Sequence, residues 1–400
     1  MARELPSLDV TTTTPDPYTA VDPADVGLDQ QRVDDLVARA HREVDDGLLP
    51  SCQLALAKDG KLVVSTTIGD AAPQSRYVIF SCTKGLTAGA IWLLMSDGVL
   101  DVTTRVAEIV PEFGTNGKDV ITVEQLLTHT SGFPQAPLDL ATITTRDGRV
   151  QQFGKWRLNW EPGSRFEYHP TSAHWVLGEI IHQLSGQDIR TFFDERISKP
   201  LGLRSLKVGE PADRQGDINR LVGVGEPPTP EELEKATGIP DIDLSSMVGE
   251  VTQDLLLGFN RPVVREQSAP GAGGISTAAD LALYYQGLLL NPGRLWDPDV
   301  LADGTGNVRC DLPDPLRGNP VHRSLGLTIA GDPPNALLRG FGHGQSPRTF
   351  GHDGAGGQIA WADPDSGLSF CYLTNGLDAH IIREARRKIG LSSRAVACAA

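Results

Sequence analysis

The chain has 400 residues, more than one core usually fills, so two domains or one domain with a large insertion is the expected organisation. With 40% hydrophobic and 22% charged residues, it has enough apolar material for a sizeable core and no signature of global disorder. Its 36 basic and 51 acidic residues give a formal charge of −15, which repels phosphate backbones and anionic lipid and so disfavours nucleic acid and membrane partners.

The first 27 residues read as an extended arm rich in Thr, Pro and Asp, with no apolar core of the kind a secretory signal needs. Leu28 to Asp46 carries Val33, Leu36, Val37 and Ala40 at helical spacing. Cys52–Ala57 and Lys61–Thr67 are β-rich runs split by Lys58-Asp59-Gly60, the pattern of a hairpin. A helix over 81–97 follows, stopped by Gly98. Its apolar stretch, Leu86 to Met95, is far shorter than the roughly 20 residues that cross a bilayer. Further helices are expected at Val123–His129, at Ser172–Leu184, after the Thr229/Glu232 capping box with Pro230 at the first position, and at Thr277–Leu290. Residues 133–165 and 205–275 are rich in Gly, Pro and acids and show no long periodic element, as the walls of an active site often do. Strands are expected at 322–330, 357–363 and 368–374, the last two joined by Asp363-Pro364-Asp365-Ser366-Gly367, and a closing helix at 378–390.

Three segments carry chemistry. Ser81-Cys82-Thr83-Lys84 puts an amine three residues from a hydroxyl, on one face of a helix start. A serine is a poor nucleophile until a neighbouring base takes its proton, and a desolvated lysine is such a base. Taken alone, the same spacing also describes an N-cap serine with a surface lysine. Tyr168-His169-Pro170 follows Glu161-Pro162-Gly163. A phenol there can relay protons with help from a cation such as Lys84, or simply pack. His352-Asp353-Gly354-Ala355-Gly356-Gly357 is either a Gly-rich turn or a backbone that approaches a carbonyl closely enough to serve as an oxyanion hole.

In this order and spacing the three segments resemble the serine β-lactamase and penicillin-binding-protein superfamily, most of all its class C branch and the family VIII carboxylesterase relatives. Leu126-Leu127-Thr128-His129-Thr130-Ser131-Gly132 and Gly273-Gly274-Ile275-Ser276-Thr277 with Asp280-Leu281 look like that family too. The resemblance runs from about residue 25 to about residue 377 and implies roles by position. Ser81 becomes the acylated nucleophile, Lys84 its base and Tyr168 the proton relay. The backbone N–H groups of Ser81 and Ala355 become the oxyanion donors. Two positions depart from the pattern. Pro170 stands where an Asn is usual and offers no donor. His352 stands where a Lys usually pairs with a substrate carboxylate, and it is at best partly charged at neutral pH. Both departures favour simple esters over carboxylated amides.

The implied fold is α/β (α+β): an antiparallel sheet flanked by helices, with a mainly helical second domain. Residues 1–24 form the arm, 25–110 with 265–400 the α/β domain, and 111–264 the helical one. Ser81 lies in the cleft between the two. His352, Gly354, His169, Trp160 and Phe133 are the expected substrate contacts, with Trp156, Trp160 and Phe133 candidates for an apolar acyl pocket. His129 is expected to be structural. The histidines show no metal-ligand spacing, the five scattered cysteines suggest reduced thiols in the cytoplasm, and no cofactor is needed. No serine has glycine at both −2 and +2, which removes the α/β-hydrolase elbow. A carboxylesterase acting on a small-molecule ester is therefore the expected function. An amide-directed enzyme (β-lactamase, peptidase or amidohydrolase) or an acyltransferase using the same residues is the alternative. A binder without catalysis has no reason to keep Ser81, Lys84 and Tyr168 together. The sequence assigns no oligomeric state.

Overall fold

Local signals set the first elements of the computed structural model, which describes residues 16–238, 240 and 251–399. Helix α1 (Gln30–Asp45) begins where the Asp29 carboxylate accepts the Arg32 N–H. Strands β1 (Ser51–Lys58) and β2 (Lys61–Gly69) are joined at Asp59 and Gly60, both with positive φ, as the tight hairpin turn requires. Strand β3 (Tyr77–Phe80) feeds α2 (Thr83–Ser96), which stops before the left-handed Gly98.

Helix α3 (Arg146–Lys155) corrects the expectation that 133–165 holds no long element. Phe153 is its one buried residue, and Gly148 and Gly154 dilute its period, so hydrophobic patterning could not reveal it. Then come α4 (Ser172–Ser185), β4 (Lys207–Val208), β5 (Val222–Val224) and α5 (Pro230–Thr237), the last with both halves of the Thr229/Glu232 capping box formed. Strand β6 (Gly274–Ser276) leads into α6 (Ala278–Leu290), capped by Thr277. The C-terminal part holds β7 (Thr328–Ile329), β8 (Phe350–Gly354), β9 (Gln358–Asp363), β10 (Leu368–Thr374), β11 (Gly376–Asp378) and α7 (Ile381–Ala397).

Two expectations change here. The run 322–330 keeps only a two-residue strand, because His322, Gly326 and Gly331 take positive φ. The third chemical segment is not wholly a turn, since its first three residues end β8. Of the N-terminal arm, residues 1–15 lie outside the described residues, and 23–26 form a turn of 3-10 helix.

The main sheet has the order β2-β1-β10-β9-β8-β7 and every pair is antiparallel. The first hairpin joins the last strands through β1 and β10, so both ends of the chain build one sheet. Alternate residues of β1 face opposite sides. Leu54 and Leu56 pack with Val33 and Leu36 of α1 and Leu391 of α7, while Ala55 and Ala57 belong to the core beneath α2 and α6. A second sheet, β3-β6-β4, carries the start of α2. Between 111 and 264 the described residues are helices and loops apart from β4 and β5. No helix among the described residues is long and apolar enough to cross a membrane.

Candidate active site

The turn between β3 and α2 is built around a backbone conformation that its sequence does not favour. Phe80 has φ 43 although it is a bulky residue 1% exposed, and such geometry costs of order 1–3 kcal/mol and survives only where its surroundings impose it. Thr83 does the imposing. Its hydroxyl donates to the Phe80 carbonyl at 2.5 Å and accepts the Gly274 N–H of β6 at 2.8 Å. Ser81 is thereby held at the mouth of α2, next to β6.

Lys84 lies one turn on and is fully buried. Its Nζ donates to Ser81 Oγ at 3.1 Å, to the Pro170 carbonyl at 2.7 Å and to the Gly271 carbonyl at 2.9 Å. Burial, followed by the Arg323 charge, pulls its pKa from the ordinary 10.5 down to about 7. In the neutral amine the two remaining N–H groups suit the two carbonyls, which turns the lone pair toward Ser81. Pro170 thus keeps a contact to the lysine despite its missing side-chain amide, because its backbone oxygen makes it.

The Tyr168 ring lies 5.0 Å from Lys84 Nζ, and its phenol hydrogen-bonds with Ser81. Burial pushes the phenol above its usual range, overcoming the opposing pull of Arg323. The expectation that Lys84 helps ionise Tyr168 is therefore reversed. The phenol stays protonated, and it is the lysine that titrates near neutrality.

The third segment arrives from β8. A Cβ on Gly354 would sit 2.5 Å from the Ile79 carbonyl, so only glycine lets the β8–β9 turn lie against β3. The Cys82 thiol also reaches the His352 carbonyl at 3.2 Å. Together these contacts hold the β8–β9 turn against the β3–α2 junction.

His352 does not present a charge. It is 4% exposed, its Nδ1 bonds to the Asp353 carbonyl at 2.6 Å, and its Nε2 accepts from Arg323 Nη1 at 3.2 Å. Burial and the facing guanidinium push its pKa down to about 3. The cation that meets His352 is Arg323, whose guanidinium lies 5.5 Å from the centre of the Tyr168 ring. Asp353 pairs with Lys388 of α7 at 2.8 Å, which, against burial, holds the carboxyl well below the usual carboxylate range.

Tyr168, Arg323, Asp353 and Lys388 line one cleft of about 590 Å³. None of the five expected substrate contacts is on its wall. Phe133 is 0% exposed and stacks on Trp156 at 5.6 Å, so it is core. His169 is 0% exposed as well. Its Nε2 accepts the Phe133 N–H at 3.2 Å and its Nδ1 bonds to the Glu167 carbonyl at 2.6 Å, which makes it a pin between loops. Trp160 packs against Arg165 and His169 instead of turning into the cleft. His129 is buried and structural: its Nδ1 accepts the His169 N–H, and its ring lies tilted, 4.7 Å from that of Tyr168. Among the described residues no group of three or more His, Cys, Asp or Glu is placed to hold a metal ion.

Sequence reasoning missed Arg323, Lys388 and the carbonyl of Gly271. Asp353 was visible inside its Gly-rich segment, whereas nothing in the spacing around Arg323 or Lys388 marks either one.

The profile of the Beta-lactamase family matches residues 31–391. The esterase/beta-lactamase LipL of Mycobacterium tuberculosis is 27% identical over 355 residues, covering 81% of this chain and 76% of that protein. A putative D-alanyl-D-alanine carboxypeptidase of Salmonella agona is 25% identical over 398 residues, covering 89% and 85%. The crystal structure of a penicillin-binding protein homolog from Caulobacter crescentus superposes with a TM-score of 0.75 at 26% identity, over 93% of this chain and 99% of that one. The family match runs through all three chemical segments and the fold agrees along nearly the whole chain: this protein is a serine hydrolase that belongs to the Beta-lactamase family.

Proposed function

We propose that the protein is a carboxylesterase-type hydrolase that forms an acyl-enzyme on Ser81. The observation that carries this reading is the Lys84 amine, with a pKa of about 7 and two of its hydrogen bonds committed to carbonyls. Near neutral pH a large fraction is unprotonated and faces the Ser81 hydroxyl at 3.1 Å. Lys84 takes the serine proton as Oγ attacks the ester carbonyl. The developing oxyanion turns to the N–H groups of Ser81 and Ala355. As the acyl–oxygen bond breaks, Tyr168 gives its proton to the leaving alkoxide and is recharged from the Lys84 ammonium. Water then attacks the acyl-enzyme by the same route in reverse, which releases the acid and restores Ser81.

Esters suit this site better than amides do. The Pro170 ring offers no donor or acceptor to a substrate amide, and its carbonyl is already taken by Lys84. The experiment is steady-state hydrolysis of p-nitrophenyl acetate and butyrate beside nitrocefin, with Ser81→Ala as the control. Ester turnover lost in Ser81→Ala, with an acetyl adduct on the Ser81 peptide of the wild type, is the expected result. Faster cleavage of nitrocefin than of either ester would transfer the assignment to amide chemistry.

A further inference from the structure

We infer, on the acyl-enzyme reading above, that His129 and His174 hold a buried water against Lys84 and Tyr168, and that His174 acts through it as a positioning residue for the base. Both rings are fully buried. The Nδ1 of His129 accepts the His169 N–H at 3.1 Å, so the proton of its neutral ring is on Nε2. That Nε2 has no hydrogen-bond partner among the described residues, and neither has either nitrogen of His174.

A neutral imidazole carries one donor and one acceptor, and buried polar groups in proteins are nearly always paired. A phenylalanine or a leucine would fill either position without leaving such groups unmet. Three unpartnered nitrogens on two neighbouring rings therefore point to a ligand that the rings share. The ring centres lie 5.6 Å apart with 36° between their planes. No direct bond joins the two, whereas a pair of hydrogen bonds of about 2.9 Å through one oxygen spans such a gap. The ligand has to accept the His129 N–H and donate to His174. Water does both and is the smallest molecule that does. The remaining His174 N–H is left to donate to a second water.

The pair sits against the reacting groups. The His129 ring is 4.7 Å from that of Tyr168. A Cβ on Gly271 would lie 3.1 Å from the His174 Cβ and 3.2 Å from the Pro170 carbonyl oxygen, so His174 is wedged beside the two backbone segments that hold Lys84. After burial, the charge that acts most on His174 is that of Lys84. Burial keeps both rings neutral, with pKa values well below the ordinary 6.5. They add no competing charge, and their water gives the buried ammonium a polar neighbour. The other groups around that ammonium are Arg323, Asp353 and Cys82, with Tyr168 and the neutral His169 and His352. Replacing the His174 imidazole by an apolar ring removes the solvation, which disfavours the ammonium and drives the Lys84 pKa further down.

The first test is a high-resolution crystal structure of the wild-type protein. We expect an ordered water within about 3.2 Å of His129 Nε2 and of one His174 nitrogen. Rings in dry contact overturn the inference. The second test is the pH profile of kcat/KM for p-nitrophenyl acetate in the wild type, His174→Phe and His174→Asn. In His174→Phe the rising limb should move to lower pH by about half a unit or more, and the plateau should fall about tenfold because the base is weaker. His174→Asn keeps a donor and an acceptor and should bring the limb at least halfway back. His174→Leu gives the same comparison if the larger ring does not fold. A limb that stays in place or moves to higher pH means that the histidine only packs, and the positioning role fails. Absence of Ser81-dependent hydrolysis in the wild type overturns the esterase reading instead, and the crystal structure still decides the water site.

Discussion

On the proposed mechanism, the pH dependence of acylation follows directly from Lys84. Only the neutral amine of Lys84 can take the Ser81 proton, and its pKa is drawn down to about 7 chiefly by burial. The fraction in the active form then falls tenfold for each pH unit below 7. From a plateau above pH 8, kcat/KM should drop to about one tenth at pH 6 and about one hundredth at pH 5. No falling limb is expected up to pH 9, because burial keeps the Tyr168 phenol protonated well beyond that range. His352 adds no inflection near 6, since its pKa of about 3 leaves it neutral throughout. The assay is initial-rate hydrolysis of p-nitrophenyl acetate followed at the isosbestic wavelength of the product, in buffers of constant ionic strength. A profile that keeps climbing with unit slope to pH 10 would mean that Lys84 has its ordinary pKa of 10.5, and the account of the base would fail. The same lysine bears on stability. Its folded pKa lies below the unfolded one, so the folded state binds fewer protons between about pH 7 and 10.5, and stability rises with pH across that window. Below pH 7 the full cost applies. The gap between 10.5 and about 7, at 1.36 kcal/mol per pKa unit, is about 5 kcal/mol before the three hydrogen bonds are credited. Lys84→Met should therefore abolish turnover without lowering Tm at pH 6.

Other substitutions separate chemistry from packing. Tyr168→Phe should lower kcat by about 10²–10⁴ with a folded spectrum unchanged, and burst kinetics would locate the loss in the proton-transfer steps. Gly354→Ala forces a Cβ to within 2.5 Å of the Ile79 carbonyl, so it should cost activity and about 1–3 kcal/mol of stability together; a fully active variant would show that the turn does not need to touch β3. Phe133→Ala should cost about 3–5 kcal/mol in chemical denaturation as a core cavity, while the acetate-to-butyrate preference stays within about twofold. A large change in chain-length preference would return Phe133 to the substrate pocket.

What the sequence made legible was whatever depends on near neighbours. Asp59-Gly60, the Thr229/Glu232 box and the stop at Gly98 are local codes, and each formed where its residues stand. The three-residue step from Ser81 to Lys84 is local too, and helical geometry alone brings the two together. Burial is a different kind of quantity, because it depends on what arrives from elsewhere in the chain. Phe133 and His169 sit in Gly- and Pro-rich surroundings that read as an exposed wall, yet Trp156 covers one, while the 131–133 loop takes Nε2 of the other and the Glu167 carbonyl takes its Nδ1. The left-handed Phe80 was equally hidden, since an aromatic residue at positive φ is enforced by Thr83 and Gly274 and announces itself nowhere in composition.

The same distinction explains why the electrostatics of the site came out reversed. From spacing, His352 is a poor substitute for a lysine, and the argument ends in a site short of positive charge. In the fold, an isolated antiparallel bridge to Cys310 delivers Arg323 to the imidazole, and the pair behaves as one unit: an arginine whose orientation is set by a neutral acceptor. That guanidinium also acts on the base, because it is the largest charge lowering the Lys84 pKa after burial itself.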